Sequence, residues 1–197
     1  MSIRRLALGP ALFVLAGSSI AIAGCGSNTA PTAKVFLNSQ LTAGTNGSAI
    51  CGVTDPTLVV IGSSAASADD GSDQSGVGVK ASCSVTANAD GSFQVNAIGV
   101  LGNVGSVTIT GKFTTSGEQT GIRGVFQSGV FGRFEDTNCT VSYKNNPFMG
   151  VAAGRVWGNI DCPSAADSFQ SRTGADGGPT PRACEGLAEF KFENCAQ

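Results

Sequence analysis

The chain reads as an all-β domain, an antiparallel β-sandwich or flattened barrel of about ten strands stapled by disulfides. Three observations predict this. Glycine, serine, threonine, alanine and valine dominate while charged residues make up only 13%, a composition that suits short strands and tight turns better than amphipathic helices. Apolar and polar residues alternate with period two over several long runs. Seven cysteines are present, and with Cys25 set aside the remaining six form an even set in a chain that carries an export signal, so three disulfides are expected.

The first residues are read as targeting information. A basic start at Arg4 and Arg5, an apolar run from Leu6 to Leu15 and small residues up to Cys25 make residues 1–24 a secretory signal peptide. Gly9, Pro10, Gly17 and two serines interrupt the run, which falls short of the ~18 continuous apolar residues of a spanning helix. Cleavage before Cys25 leaves 173 residues, enough for one domain, with 10 basic against 14 acidic side chains. That net charge of −4 leaves no basic patch for nucleic acid. Residues 25–33 are small and polar and form a flexible tether, and a single β domain spans 34–197.

Within the domain, Lys34–Leu37, Ser48–Val53 and Leu58–Gly62 are short apolar runs bounded by turn residues and are expected strands. Ser63–Gly76 contains no large apolar side chain and is expected to be a mobile surface loop. The clearest alternation runs from Val77 to Ala87, with Val77, Val79, Ala81, Cys83 and Val85 on one face. Asn88–Gly91 turns the chain. The strand Ser92–Leu101 then places Phe93, Val95, Ala97 and Leu101 on one face, and Ser106–Thr115 turns Val107, Ile109 and Phe113 inward.

A further strand is expected at Gly121–Phe126. Gly129–Asp136, with Phe131 and Phe134, fits neither period, whereas Cys139, Val141 and Tyr143 alternate again. Asn145–Pro147 is a turn before Val151–Cys162, which carries Trp157, the single tryptophan. Residues 163–183 are rich in serine, glycine, aspartate and proline and are expected to form a long loop. The chain ends on a strand from Gly186 to Cys195, with Glu189, Lys191 and Glu193 on its solvated face. The expected disulfide pairing is Cys51–Cys83, Cys139–Cys195 and Cys162–Cys184. The last would close the loop, and its closure is worth about 3 kcal/mol.

The chain has no histidine, which removes Ser-His-Asp and Cys-His nucleophile systems, His-ligated metals and His acid–base pairs. No cysteine pair has the spacing of a structural zinc site. Asp69–Asp73 and Asn88–Ser92 lack the ligand spacing of a calcium loop. Gly99–Gly105 has no helix to offer a phosphate. Neither cofactor nor metal is expected. Glu189 and Glu193 read as solvated charges. A carboxylate-only glycoside hydrolase would need two acids about 5 to 10 Å apart in a groove. Trp157, Tyr143, Phe131, Phe134 and Phe148 could stack on a ligand, but aromatics of alternating strands mostly face the core.

Ile22-Ala23-Gly24-Cys25 resembles the bacterial lipobox: an aliphatic residue, two small residues and an obligatory cysteine that is diacylated before cleavage. The resemblance implies that Cys25 is the lipidated N-terminus and that the membrane is a partner through its acyl chains, two or more of which anchor a protein stably. The plan of a lipid anchor, a Gly/Thr/Val-rich β domain and a cysteine in the last strand (Phe190 to Cys195) resembles the myxobacterial-type envelope lipoproteins of Gram-negative bacteria. It is also similar to the mycobacterial lipoprotein antigens, from which six paired cysteines and the long tail after Tyr143 depart. In a Gram-negative host, Gly26 lacks the aspartate that retains such proteins at the inner membrane of enterobacteria, which implies outer-membrane delivery. The expectation is a lipid-anchored cell-envelope protein with a non-enzymatic structural or interaction role. The alternatives are a ligand-binding module for glycan, peptide or lipid, or a carboxylate-only glycosidase.

Overall fold

A computed structural model of the chain describes residues 31–44, 51–53, 57–144, 146–173 and 179–197. The signal peptide, Cys25, most of the tether, and the expected turn residue Asn145 lie outside the described residues. Of the expected strand Ser48–Val53 only Cys51–Val53 are described, and they are not strand.

The regular elements of the described residues are all strands: β1 Lys34–Thr42, β2 Thr57–Ile61, β3 Ala68–Asp69, β4 Asp73–Gln74, β5 Val77–Ala87, β6 Phe93–Leu101, β7 Gly105–Phe113, β8 Gln119–Ser128, β9 Gly132–Ser142, β10 Gly150–Ala152, β11 Arg155–Thr173 and β12 Pro179–Glu193. Ten of them form one antiparallel path, β2-β1-β12-β11-β9-β8-β7-β6-β5-β4, with β3 beside β1 and β10 beside β11. The expected all-β fold is therefore present as a sheet nearly closed into a barrel.

Period-two alternation decides which way each strand faces. Inward positions carry Val35, Leu37, Val85, Val95, Ile109, Phe113, Ile122, Phe126, Phe134, Val141, Phe190 and Phe192, all fully buried. Between them, outward positions such as Lys80, Ser82, Asn96 and Lys112 meet solvent or only partial cover. An apolar interior with a polar exterior is the reverse of a membrane-spanning barrel. Small residues set the fit of the core. A side chain added at Gly186 would meet the Phe126 ring at 2.5 Å, and one at Gly124 would meet the sulfurs of Cys162 and Cys139 at 2.5 and 2.9 Å, so β12 and β8 carry glycine where the interior is fullest.

The ends of the path, β2 and β4, are bridged by one side chain. The Gln74 amide nitrogen donates to the Val60 carbonyl at 2.8 Å, and its oxygen accepts from the Gly62 N–H at 2.8 Å. The segment expected as a mobile loop, Ser63–Gly76, is thus the seam. β3 pairs with the start of β1, β4 pairs with β5, and Gly71 and Ser72 exchange backbone bonds with Val79. Sequence reasoning misses this because the segment is held by polar bonds and buries no large side chain. Beyond β12 the chain crosses to β5, where Ala196 lies parallel to Ser84 and donates to the Cys83 carbonyl at 2.9 Å.

All six cysteines are in disulfides, but in another pairing: Cys51–Cys184, Cys83–Cys195 and Cys139–Cys162. The expected partners Cys162 and Cys184 lie two residues apart in register across the β11–β12 hairpin, Cys162 opposite Gly186 and Cys184 opposite Ala165, and each finds a closer partner elsewhere. Cys139 of β9 meets Cys162 on the neighbouring strand. Nor is 163–183 a long loop: β11 runs to Thr173 and β12 begins at Pro179, with residues 174–178 outside the described set. Small polar residues alternate there with too little hydrophobic contrast to signal a strand. The hairpin is anchored by buried Arg182, which ion-pairs with Asp167, donates to the Phe131 carbonyl at 2.7 Å and lies 5.2 Å from the centre of the Phe134 ring.

Candidate functional site

The outer face of four adjacent strands, β1, β12, β11 and β9, carries an open depression of about 450 Å³. Its floor is built by register. One row across the strands reads Asn38, Glu189, Asn159, Ser142, and the next reads Gln40, Leu187, Asp161, Thr140. Neighbouring members stand about 5 Å apart because that is the strand spacing. The alternation that buries Leu37, Leu41, Ala188 and Ile160 turns these eight side chains outward.

Several of these groups have no internal use. Among the described residues, no side-chain hydrogen bond is made by Asn38, Gln40, Thr140, Ser142 or Asp161, whereas Glu189 accepts the Trp157 indole N–H at 3.2 Å and Asn159 donates to the Met149 sulfur at 3.4 Å. Lys144 rims the depression and is paired with Glu118 at 3.1 Å. Asp161 and Glu189 are diagonal neighbours, with α-carbons roughly 7–8 Å apart by sheet geometry. Partial burial of its carboxyl pushes Asp161 above the usual carboxylate range, reinforced by the negative charges of Glu185 and Asp136.

A contrasting cluster lies on β8 and β9. There Glu135 is bridged by Arg123 at 2.6 Å and Arg133 at 2.7 Å, and the Arg123 hydrogen bond holds its carboxyl below the usual range. Asp136, Asp161, Glu185 and Glu189 form no ion pair among the described residues. Within the depression Lys144 and Glu118 neutralise each other, while Asp161 and Glu189 are left without a cation among the described residues.

The aromatics expected as ligand contacts are dispersed. Phe134 is in the core, and the Tyr143 hydroxyl donates to the Thr114 carbonyl at 3.1 Å, its pKa pushed up to about 12 by burial. Trp157 faces outward but is covered: it lies in a row with Phe36 and Lys191, and the Lys191 ammonium sits 5.2 Å from its ring centre. Phe131 packs partly buried against the core, and Phe148 is 68% exposed on the segment that leads to Met149.

The two expected solvated acids part company. Glu193 pairs with Lys191 at 2.9 Å and accepts from Ser67, bonds that outweigh burial and lower its pKa. Glu189 belongs to the depression. The acidic turns are committed to structure: Asp69 pairs with Lys34, Asp70 accepts from the Ala81 N–H, Asp73 from the Gly76 N–H and Asp90 from Ser92 and Lys112. Among the described residues no three acidic or cysteine side chains are grouped as metal ligands.

Asn38, Gln40, Thr140, Ser142, Asn159 and Asp161 escape sequence reasoning. Each is an ordinary outward residue of an alternating strand, and only the non-local order β1-β12-β11-β9 brings them together. Comparison with protein-family models, curated proteins and solved structures finds no match to this chain.

Proposed function

We propose that this is a lipid-anchored cell-envelope protein, tethered through Cys25 to the outer membrane, whose barrel serves a non-enzymatic interaction role through the outer face of β1, β12, β11 and β9. The observation that carries the interaction role is the set of side chains without a protein partner among the described residues, the Asn38 and Gln40 amides, the Thr140 and Ser142 hydroxyls and the Asp161 carboxylate, across three of the four adjacent strands. These groups are exposed or half-exposed, so water holds their bonding positions, and a partner with matching donors and acceptors can take the water's place. The anchor rests on the lipobox Ile22-Ala23-Gly24-Cys25 and on the parity that leaves Cys25 outside three disulfides.

One observation favours a second reading. Asp161 and Glu189 are diagonal neighbours on one sheet face, about the spacing that two-carboxylate glycoside hydrolysis uses, and burial moves the Asp161 pKa upward, the direction a general acid needs. Against it, the depression is open and both carboxylates project from one sheet face, with no opposing wall among the described residues to distort a sugar ring or exclude water. The test is release of reducing ends from neutral oligosaccharides by the purified protein and by Asp161→Asn and Glu189→Gln. No release above buffer supports the binding role. Turnover that either substitution abolishes would replace it with the hydrolase.

A further inference from the structure

Resting on that interaction reading, we infer that the occupant of the depression is a basic, extended segment of a partner protein. Charge chooses its sign. Asp161 and Glu189 lie in the floor, Asp136 and Glu185 flank Asp161, and none of the four has an ion pair among the described residues, while the cations at the rim are already matched, Lys144 to Glu118 and Lys191 to Glu193. Such a face repels phosphates, acidic glycans and anionic lipid headgroups and attracts ammonium and guanidinium groups.

The neutral groups choose the rest. Asn38 and Gln40 each offer a planar amide that can donate and accept at once, the bonding pattern of a peptide backbone, and they stand in line with the two carboxylates. A neutral glycan would be expected to stack on an aromatic ring, but Trp157 is covered by Lys191 and spends its N–H on Glu189. The one large apolar side chain outward in the two rows is Leu187, room for an aliphatic lysine or arginine stem.

The experiment is an NMR titration of the isotope-labelled, purified mature protein with three probes: a short peptide of alternating lysine and serine, its glutamate counterpart, and chitotriose. The lysine peptide should shift backbone amides of Asn38, Gln40, Thr140, Asp161 and Glu189 saturably. Asp161→Asn with Glu189→Gln should weaken it about tenfold or more, since both charges face the ligand. A spectrum otherwise unchanged will show that the double variant is folded. Shifts spread over other acidic sites and indifferent to the double variant would overturn the inference, as would no shift at all or tighter binding of chitotriose or the glutamate peptide. Cys25 acylation measured on the same sample separates the two readings: an acylated protein with a silent face refutes the basic partner alone, and an unacylated one that binds the peptide refutes the anchor alone.

Discussion

Cys83 and Cys195 join the middle of β5 to the second residue beyond β12, and this bond ties the tail across the barrel to a strand far from β12 in the sheet order. The backbone follows the same route: Val85 donates to the Ala196 carbonyl at 2.8 Å, and the Cys195 N–H donates to the Gly154 carbonyl at 2.9 Å. Its loop spans 112 residues and that of Cys51–Cys184 spans 133, against 23 for Cys139–Cys162. By loop-closure entropy the long pair contribute about 5 kcal/mol each and the short one about 3.

Peptide mapping of the unreduced protein should therefore recover Cys51–Cys184, Cys83–Cys195 and Cys139–Cys162. Cys83→Ser with Cys195→Ser should cost about 2–5 kcal/mol in denaturant unfolding and free residues 194–197 to carboxypeptidase. A map linking Cys162 to Cys184 would contradict the β11–β12 register, which sets Cys162 opposite Gly186 and Cys184 opposite Ala165.

Gln74 should matter more than an ordinary polar residue, because its amide supplies both bonds between β4 and the β2 edge. Gln74→Ala should lower stability by about 1–2 kcal/mol and raise amide hydrogen exchange in β2 and β4 ahead of β6–β8. Uniform exchange would show that the seam does not depend on this side chain.

How much of this was legible in the sequence depends on the contrast each segment offers. Val77–Ala87 is predicted to the residue because apolar and polar positions alternate without interruption, and β5 has those bounds. The strands up to Cys162 and from Gly186 are expected, but the part of the β11–β12 hairpin between them is missed because Ala165, Ala166 and their neighbours are small on both faces, although inward Arg182 finds Asp167, Phe131 and Phe134. That Cys51 to Cys195 form three pairs follows from parity, but which pairs form depends on non-local contacts, β9 beside β11 for Cys139–Cys162 and the tail crossing to β5 for Cys83–Cys195, that no local pattern encodes. The depression likewise needs the non-local order β1-β12-β11-β9, so its residues are visible singly and not as a set.

Asp161 should show the cost of leaving its carboxylate unpaired. Its raised pKa means that the folded state holds the proton more tightly than the unfolded chain does. The penalty is thus absent below the ordinary carboxylate range and fully present above the raised pKa. Asp161→Asn should raise the melting temperature at neutral pH by a small margin, within about 0.5 kcal/mol for this exposed site. The advantage should shrink on acidification and vanish below about pH 4, the ordinary carboxylate value. A loss of stability at neutral pH would show that the carboxylate serves the fold.

The anchor is tested most directly by mass spectrometry of the mature protein taken from the envelope of its host. The N-terminal peptide should begin at Cys25 and carry the mass of a diacylglyceryl group on sulfur, and Cys25→Ala should accumulate as uncleaved precursor. A mature protein that begins elsewhere, or at an unmodified Cys25, would contradict the lipid anchor and leave the barrel an untethered exported domain.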